Sequence, residues 1–369
     1  MRIREGEGTM TRPVRLAVLG AGLIGRRHIA HVAAEPMSEL VAVVDPSPTG
    51  QEAAREHATE WFPSFAAMVA SAKPDGVIIA TPNQVHVANG LESVAAGVPA
   101  LIEKPIADDV ASASRLVEAA ATARVPLLVG HHRRYNPMLQ AARQVIESGR
   151  LGRIVAVHGT CWFYKPDDYF DVAWRREKGA GPVFLNLIHD VDSLRYLCGD
   201  VVAVHALESN AVRGYAVEET AAIVLRFAAG ALATITVSDT VVAPWSWELT
   251  AGENPAYQRT DESCYQIGGT RGSLTVPHLE LWRNPDKRSW WEPLKRERLA
   301  CAEQDPLRLQ IRHFCKVIRG EESPLVSGRE GLETLRVIDA VKRSAATGTM
   351  VGLEHGTAGP GGAASTLTA

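Results

Sequence analysis

The 369-residue sequence has no apolar run approaching 18 residues, so nothing in it reads as a membrane span. Its five cysteines, Cys161, Cys198, Cys264, Cys301 and Cys315, stand far apart and form no C-x-x-C pair. That spacing excludes a zinc cluster and a disulfide framework, and leaves reduced, mostly buried thiols. No metal site is expected. Neither sign of charge dominates: 39 lysines and arginines face 42 acids, a net of −3. The chain as a whole is therefore steered towards neither nucleic acid nor an anionic membrane. No internal repeat of roughly 20–50 residues is visible, which excludes solenoids and propellers.

What is present has the balance of a soluble globular protein, 46% hydrophobic and 22% charged. At about 150 residues per domain the length accommodates two domains, and the composition is that of a cytoplasmic protein. From Val14 to His132 short β-branched runs (VRLAVLG, LVAVVD, GVIIAT, ALIEKP, PLLVGHH) alternate with amphipathic helical patterns. Strands buried on both faces and separated by helices specify an open, doubly wound parallel sheet. A helix is expected near Pro137–Glu147. After it the runs lengthen, alternate in polarity and gain aromatics, as in RIVAVHGTCWFY, VVAVHALESNAV, AAIVLRF and ALATITVSD. They read as a mostly antiparallel sheet with one open face, with a helix around Val183–Leu197 and two more near Pro306–Arg319 and Arg329–Ala346. The expected division is an α/β domain over 12–135, an α+β domain over 136–353, and a tail over 354–369 too poor in apolar residues to fold.

Gly20-Ala-Gly22-Leu23-Ile24-Gly25 directly follows the first strand and opens a helix. There Gly20 permits the turn, Gly22 lets backbone approach a pyrophosphate, and Gly25 lets helix and strand pack closely. The helix N-terminus adds free N–H groups and a positive dipole end. Asp45, ending the second strand, is placed to accept both ribose hydroxyls, which favours NAD over NADP; Arg26 and Arg27 pull the other way. Three further strand ends carry polar residues on the same rim: Thr81-Pro82-Asn83 with His86, then Glu103-Lys104-Pro105, then His131-His132-Arg133. Ligands of open parallel sheets bind beyond those ends.

The combination of GAGLIGRRH, ATPNQVH, IEKP and GAGPVFLNLIHDVDSLRYLCG resembles the Gfo/Idh/MocA family over about Val14–Thr347. The resemblance implies a Rossmann NAD domain and a second domain whose open sheet binds substrate and a neighbouring subunit, in a homodimer or homotetramer. It implies hydride transfer between the nicotinamide and a secondary hydroxyl of a sugar, cyclitol or related small polyhydroxy molecule. It makes Lys104, beside the nicotinamide, the contact to the reacting hydroxyl, and His189 the proton acceptor. A histidine suits the second task because its charge changes near neutrality, and an ammonium suits the first because it stabilises an alkoxide. Many relatives carry an aspartate four residues before that histidine. Here Leu185 stands there, with Asn186 next to it as a candidate hydrogen-bonding substitute.

For substrate recognition the run CWFYKPDDYFDVAWRR offers aromatic faces for C–H surfaces and charged groups for hydroxyls. Tyr164, Lys165, Tyr169, Trp174 and Arg175 are the first choices from it, with His132, Arg133 and Asn186. Two alternatives stay open: a cis-dihydrodiol dehydrogenase acting on an aromatic-derived diol, and a non-catalytic NAD-binding regulatory homologue.

Overall fold

A computed structural model describes residues 12–354, so residues 355–369 of the expected tail lie outside the described residues. The first sheet contains β1 (Val14–Leu19), β2 (Ser38–Val44), β3 (Glu60–Phe62), β4 (Gly76–Ile79), β5 (Ala100–Ile102) and β6 (Leu127–Val129). All pairings are parallel, in the order β3-β2-β1-β4-β5-β6. Every residue of β4 is buried, as expected of a strand covered by helices on both faces. The strand order reverses between β1 and β4. That is the switch point at which such sheets open a ligand crevice.

The second sheet has nine strands: β7 (Ile154–Trp162), β8 (Val201–Ser209), β9 (Thr220–Phe227), β10 (Leu232–Ser238), β11 (Tyr265–Gly269), β12 (Ser273–Val276), β13 (Glu280–Arg283), β14 (Lys295–Arg298) and β15 (Val351–Gly352). Their order is β14-β13-β12-β11-β7-β10-β9-β8-β15. Only β7 and β10 pair in parallel; the other neighbours are antiparallel. Strand β9 alternates strictly: Ala221, Ile223, Leu225 and Phe227 point inward, while Ala222, Val224 and Arg226 are exposed. The inner face packs in one core with the helices Ile188–Cys198 and Gly328–Thr347. The outer face is open.

Two features depart from the sequence reading. The expected helix over Val183–Leu197 opens as a π-helical turn, Val183–Leu187, and becomes α-helical only at Ile188–Cys198. A wider turn of this kind shifts the backbone bonds to i→i+5, which re-aims carbonyls. The helix Pro306–Ile318 follows all but the last strand of the second sheet in the chain yet packs on the first: Ile311, Phe314 and Cys315 share a core with Leu16, Val18 and Ile78.

Candidate active site

At the switch point the glycine loop has the form a dinucleotide requires. Gly20 has φ +91°, and a Cβ there would lie 2.5 Å from the Ala80 carbonyl oxygen. A Cβ on Gly25 would stand 2.0 Å from the Gly20 oxygen, whereas one on Gly22 would meet nothing within 4 Å. The face over Gly22 is thus open to an approaching phosphate. No side chain caps the helix Leu23–Ala34, so its first N–H groups remain available to an anion. Leu23 is 91% exposed beside the crevice, and Ile24 follows it on the same helix. Asp45 accepts from Ala21 N–H (2.7 Å) and Ser47 N–H (2.8 Å). Burial raises its carboxyl, but the Ser47 and Ala21 bonds outweigh burial and hold it below the usual range. It is a fixed carboxylate at the ribose end of the loop. Arg26 is engaged by Glu56 (3.2 Å) and Glu52 (3.6 Å). These residues fit NAD.

The end of β5 splits its two charges. Glu103 turns inward, with Oε1 2.7 Å from His28 Nε2 and Oε2 accepting the Lys104 N–H at 3.1 Å. Burial pushes its carboxyl up, but the His28 bond and the charges of His28, His132 and Lys104 bring it down to about 2. Lys104 points the other way, and its Nζ donates to the Leu185 carbonyl at 3.0 Å. Burial is the main cause that brings this ammonium down to about 8, with Glu103 raising it and Arg133 lowering it. The apolar side chain of Leu185 contributes no charge. Its backbone oxygen, in the π-helical turn, is what anchors the lysine.

His189, 8% exposed, is the second residue of the α-helix beyond that turn. Burial, then the charges of Lys104 and Arg133, hold its imidazole well below its ordinary value, so it is neutral at pH 7. Its ring stands edge-on to His132 (5.3 Å between centroids) and to His131 (6.2 Å). His189 Nδ1 and Asn186 Oδ1 are both enclosed without a hydrogen-bond partner. Burial brings His131 down to about 4. The strand-end histidines and the helix histidine therefore lie together, with the Lys104 charge acting on His189.

Beside them lies a cleft of about 810 Å³. Pro82, Asn83 and Gln84 line one side, and Leu185, Phe184, Trp174 and the segment 177–180 contribute to the rest. Trp174 is 54% exposed there, whereas Tyr164, also exposed, is not part of its lining. Four expected contacts are spent on the scaffold instead. Both nitrogens of His86 lie 2.8 Å from carbonyls, of Pro105 and Thr81, so it ties two strand ends together. Arg133 is buried under Trp247, with Asp190 at 3.1 Å and Glu248 at 2.8 Å. Lys165 is buried 3.3 Å from Asp239, and Arg175 stacks on Tyr169 while donating to its carbonyl at 2.8 Å. For Arg133, Lys165 and Arg175 a long cationic side chain found a nearer partner than the cleft. Thr81 donates its hydroxyl to Asn89 at 3.0 Å.

Sequence reasoning missed Glu253, whose carboxylate lies 3.4 Å from His132 Nε2 and accepts from Asn136 Nδ2 at 2.7 Å. It sits in a loop after Trp247–Thr250 with no local pattern to mark it. Only the fold brings it to the rim.

The family model for the oxidoreductase family NAD-binding Rossmann fold matches residues 14–131, and that for the GFO/IDH/MocA C-terminal domain matches 139–275. The chain is 30% identical over 190 residues to the rhizopine catabolism protein MocA of Rhizobium meliloti, covering 52% of this chain and 58% of that protein. It is 27% identical to inositol 2-dehydrogenase of Rhizobium meliloti (strain 1021), over 90% of this chain and 97% of that one. The solved WlbA dehydrogenase from Bordetella pertussis, in complex with NADH and UDP-GlcNAcA, superposes with a TM-score of 0.75 at 27% identity, covering 94% of this chain and 100% of that one. The glycine cradle, the two-sheet architecture and these matches agree: the chain belongs to the Gfo/Idh/MocA family of oxidoreductases and carries its NAD-binding Rossmann domain.

Proposed function

We propose that the chain is an NAD-dependent dehydrogenase acting on a secondary hydroxyl of a sugar, cyclitol or related polyhydroxy compound. The observation that carries this reading is Lys104, fixed on the Leu185 carbonyl and acting electrostatically on the neutral imidazole of His189. Bound NAD supplies the acceptor for the hydride. Lys104 holds the reacting oxygen and stabilises the negative charge that develops on it. His189, neutral at working pH, takes the hydroxyl proton. The orphan Oδ1 of Asn186 accepts from a neighbouring hydroxyl or amide, and Trp174 offers an aromatic face to the ring. Gly20, Gly22 and the first turn of Leu23–Ala34 hold the pyrophosphate, Asp45 the ribose, and Pro82 and Asn83 border the nicotinamide end. The protein assembles as a homodimer or homotetramer through the open face of the second sheet. Inositol 2-dehydrogenase among its relatives supports the cyclitol class.

The test is NADH formation from a panel of cyclitols, aldoses, aldonates and cis-dihydrodiols, with K104A and H189A alongside. At least one polyol is turned over, and each substitution lowers kcat by about 100-fold or more. Tight NAD binding without turnover on any member would point to a regulatory protein. Turnover on dihydrodiols alone would replace the substrate class. Wild-type turnover by H189A would remove the histidine from its role.

A further inference from the structure

We propose that His132, held by Glu253, relays the proton taken up by His189 to solvent, and so positions and recharges that base. The inference rests on the reading of His189 as proton acceptor. A base that has accepted a proton must lose it before the next turnover, and His189 is poorly equipped to do so alone. The positive groups around its ring, Lys104 and Arg133, favour release of the proton, but the ring is buried between two other histidines and has little direct path to water. The two acids that follow it in the helix turn elsewhere. Asp190 receives Arg133 and the Tyr265 hydroxyl, and Asp192 receives Arg134. Leu185 supplies no carboxylate.

Glu253 is the carboxylate on the other side of the histidine pair. One oxygen lies 3.4 Å from His132 Nε2. The second accepts from Asn136 Nδ2, and Asn136 is itself fixed because its Oδ1 caps the helix Pro137–Glu147 through Met138 N–H at 2.8 Å. The carboxylate therefore cannot swing away from the imidazole. The His132 ring meets the His189 ring edge-on at 5.3 Å, and its side chain is 21% exposed, so it spans the interval from the buried base to water. The balance is simple. The substrate O–H bond breaks as an N–H bond forms on His189, and the electron pair of the C–H bond leaves with the hydride. The His189 N–H then breaks as an N–H forms on His132, whose positive charge faces the Glu253 carboxylate. Water takes that proton, one per turnover.

The experiment uses the full chain, NAD and the polyol of highest turnover in the panel above, with H132A, H132Q, E253Q and H189A compared. H132A and H132Q lower kcat by about 10–100-fold while KM stays within about twofold, and E253Q falls in the same direction. Added imidazole restores H132A turnover in a saturable way, which a packing defect would not allow. Thermal melting of each variant separates loss of fold from loss of relay. If H189A is inactive while H132A and E253Q keep wild-type kcat, the relay is wrong and the base assignment stands. If H132A is folded, slow and not rescued by imidazole, the relay is likewise overturned. If H189A is fully active, or no polyol is turned over, the reading beneath the relay fails and the relay with it.

Discussion

A single ammonium decides the pH behaviour of the site. Lys104 would ordinarily hold its proton to 10.5, and burial brings it down to about 8. The charged form, which on the proposed reading stabilises the alkoxide, therefore predominates below about pH 8 and is lost as pH rises through it. His189 is neutral across that whole window, so it adds no opposing change. The expected outcome is a kcat/KM for alcohol oxidation that falls above about pH 8. Arginine stays charged at any accessible pH, so K104R turns over more slowly but without that fall. A wild-type rate that rises through pH 8 would show the lysine working as the base instead. Lys104 and His189 were legible in the sequence because the short motifs IEKP and IHDVD carry the resemblance to the family, and the structure places the two side chains near each other. Glu253 and the Leu185 carbonyl were not. A carboxylate in an unpatterned loop and a backbone oxygen leave no periodic trace, and both acquire meaning only when distant segments meet.

Elements were more legible than their ends. Five of the six strands of the first sheet and the hairpin β9–β10 follow from apolar runs and turn residues, whereas the edge strand β3, Glu60-Trp61-Phe62, has no β-branched run to stand out. The π-helical turn is invisible because Phe184, Leu185, Leu187 and Ile188 continue an ordinary helical pattern. Chain order also misleads at Pro306–Ile318, which returns to cover the first sheet. The helix carrying His189 is held by a contact that joins the two halves of the chain. Arg134 gives two parallel bonds to Asp192, at 2.9 and 2.7 Å, and Thr334 from Gly328–Thr347 adds a third at 3.0 Å. Both ionic partners are almost fully buried, and the Asp192 carboxyl, raised by burial, is brought below its usual range by Arg134. Removing one partner leaves an unpaired charge inside. R134A is therefore expected to lose roughly 3–5 kcal/mol of stability in urea unfolding. The double variant R134M/D192L, which removes both charges, is expected to recover most of it. Equal loss in both would mean that packing, not charge, holds the helix.

At the scale of the molecule the unbalanced feature is the outer face of the nine-stranded sheet. Leu207 on β8 is 61% exposed, Val224 on β9 44% and Leu232 on β10 51%. Register puts them on one side: Leu207 pairs with Ala222, two residues from Val224, and Val224 pairs with Thr234, two residues from Leu232. Alternation along a strand then keeps all three outward. Central strands of a wide sheet seldom leave such a surface in water, and burying what remains exposed of each of these side chains is worth about 1 kcal/mol. The partner that suits the face is a second copy, because a two-fold contact brings the same patch against itself. The wild-type protein is accordingly expected to sediment at two or four times its chain mass of 39.8 kDa. In such a contact every substitution appears twice, so V224K/L232K sets four new charges into one apolar patch, where like charges repel and lack partners. That variant is expected to sediment as a monomer with its NAD affinity retained, since the dinucleotide crevice belongs to the other sheet. A wild-type protein that sediments at 39.8 kDa, or a V224K/L232K protein that keeps the wild-type mass, would place the contact elsewhere.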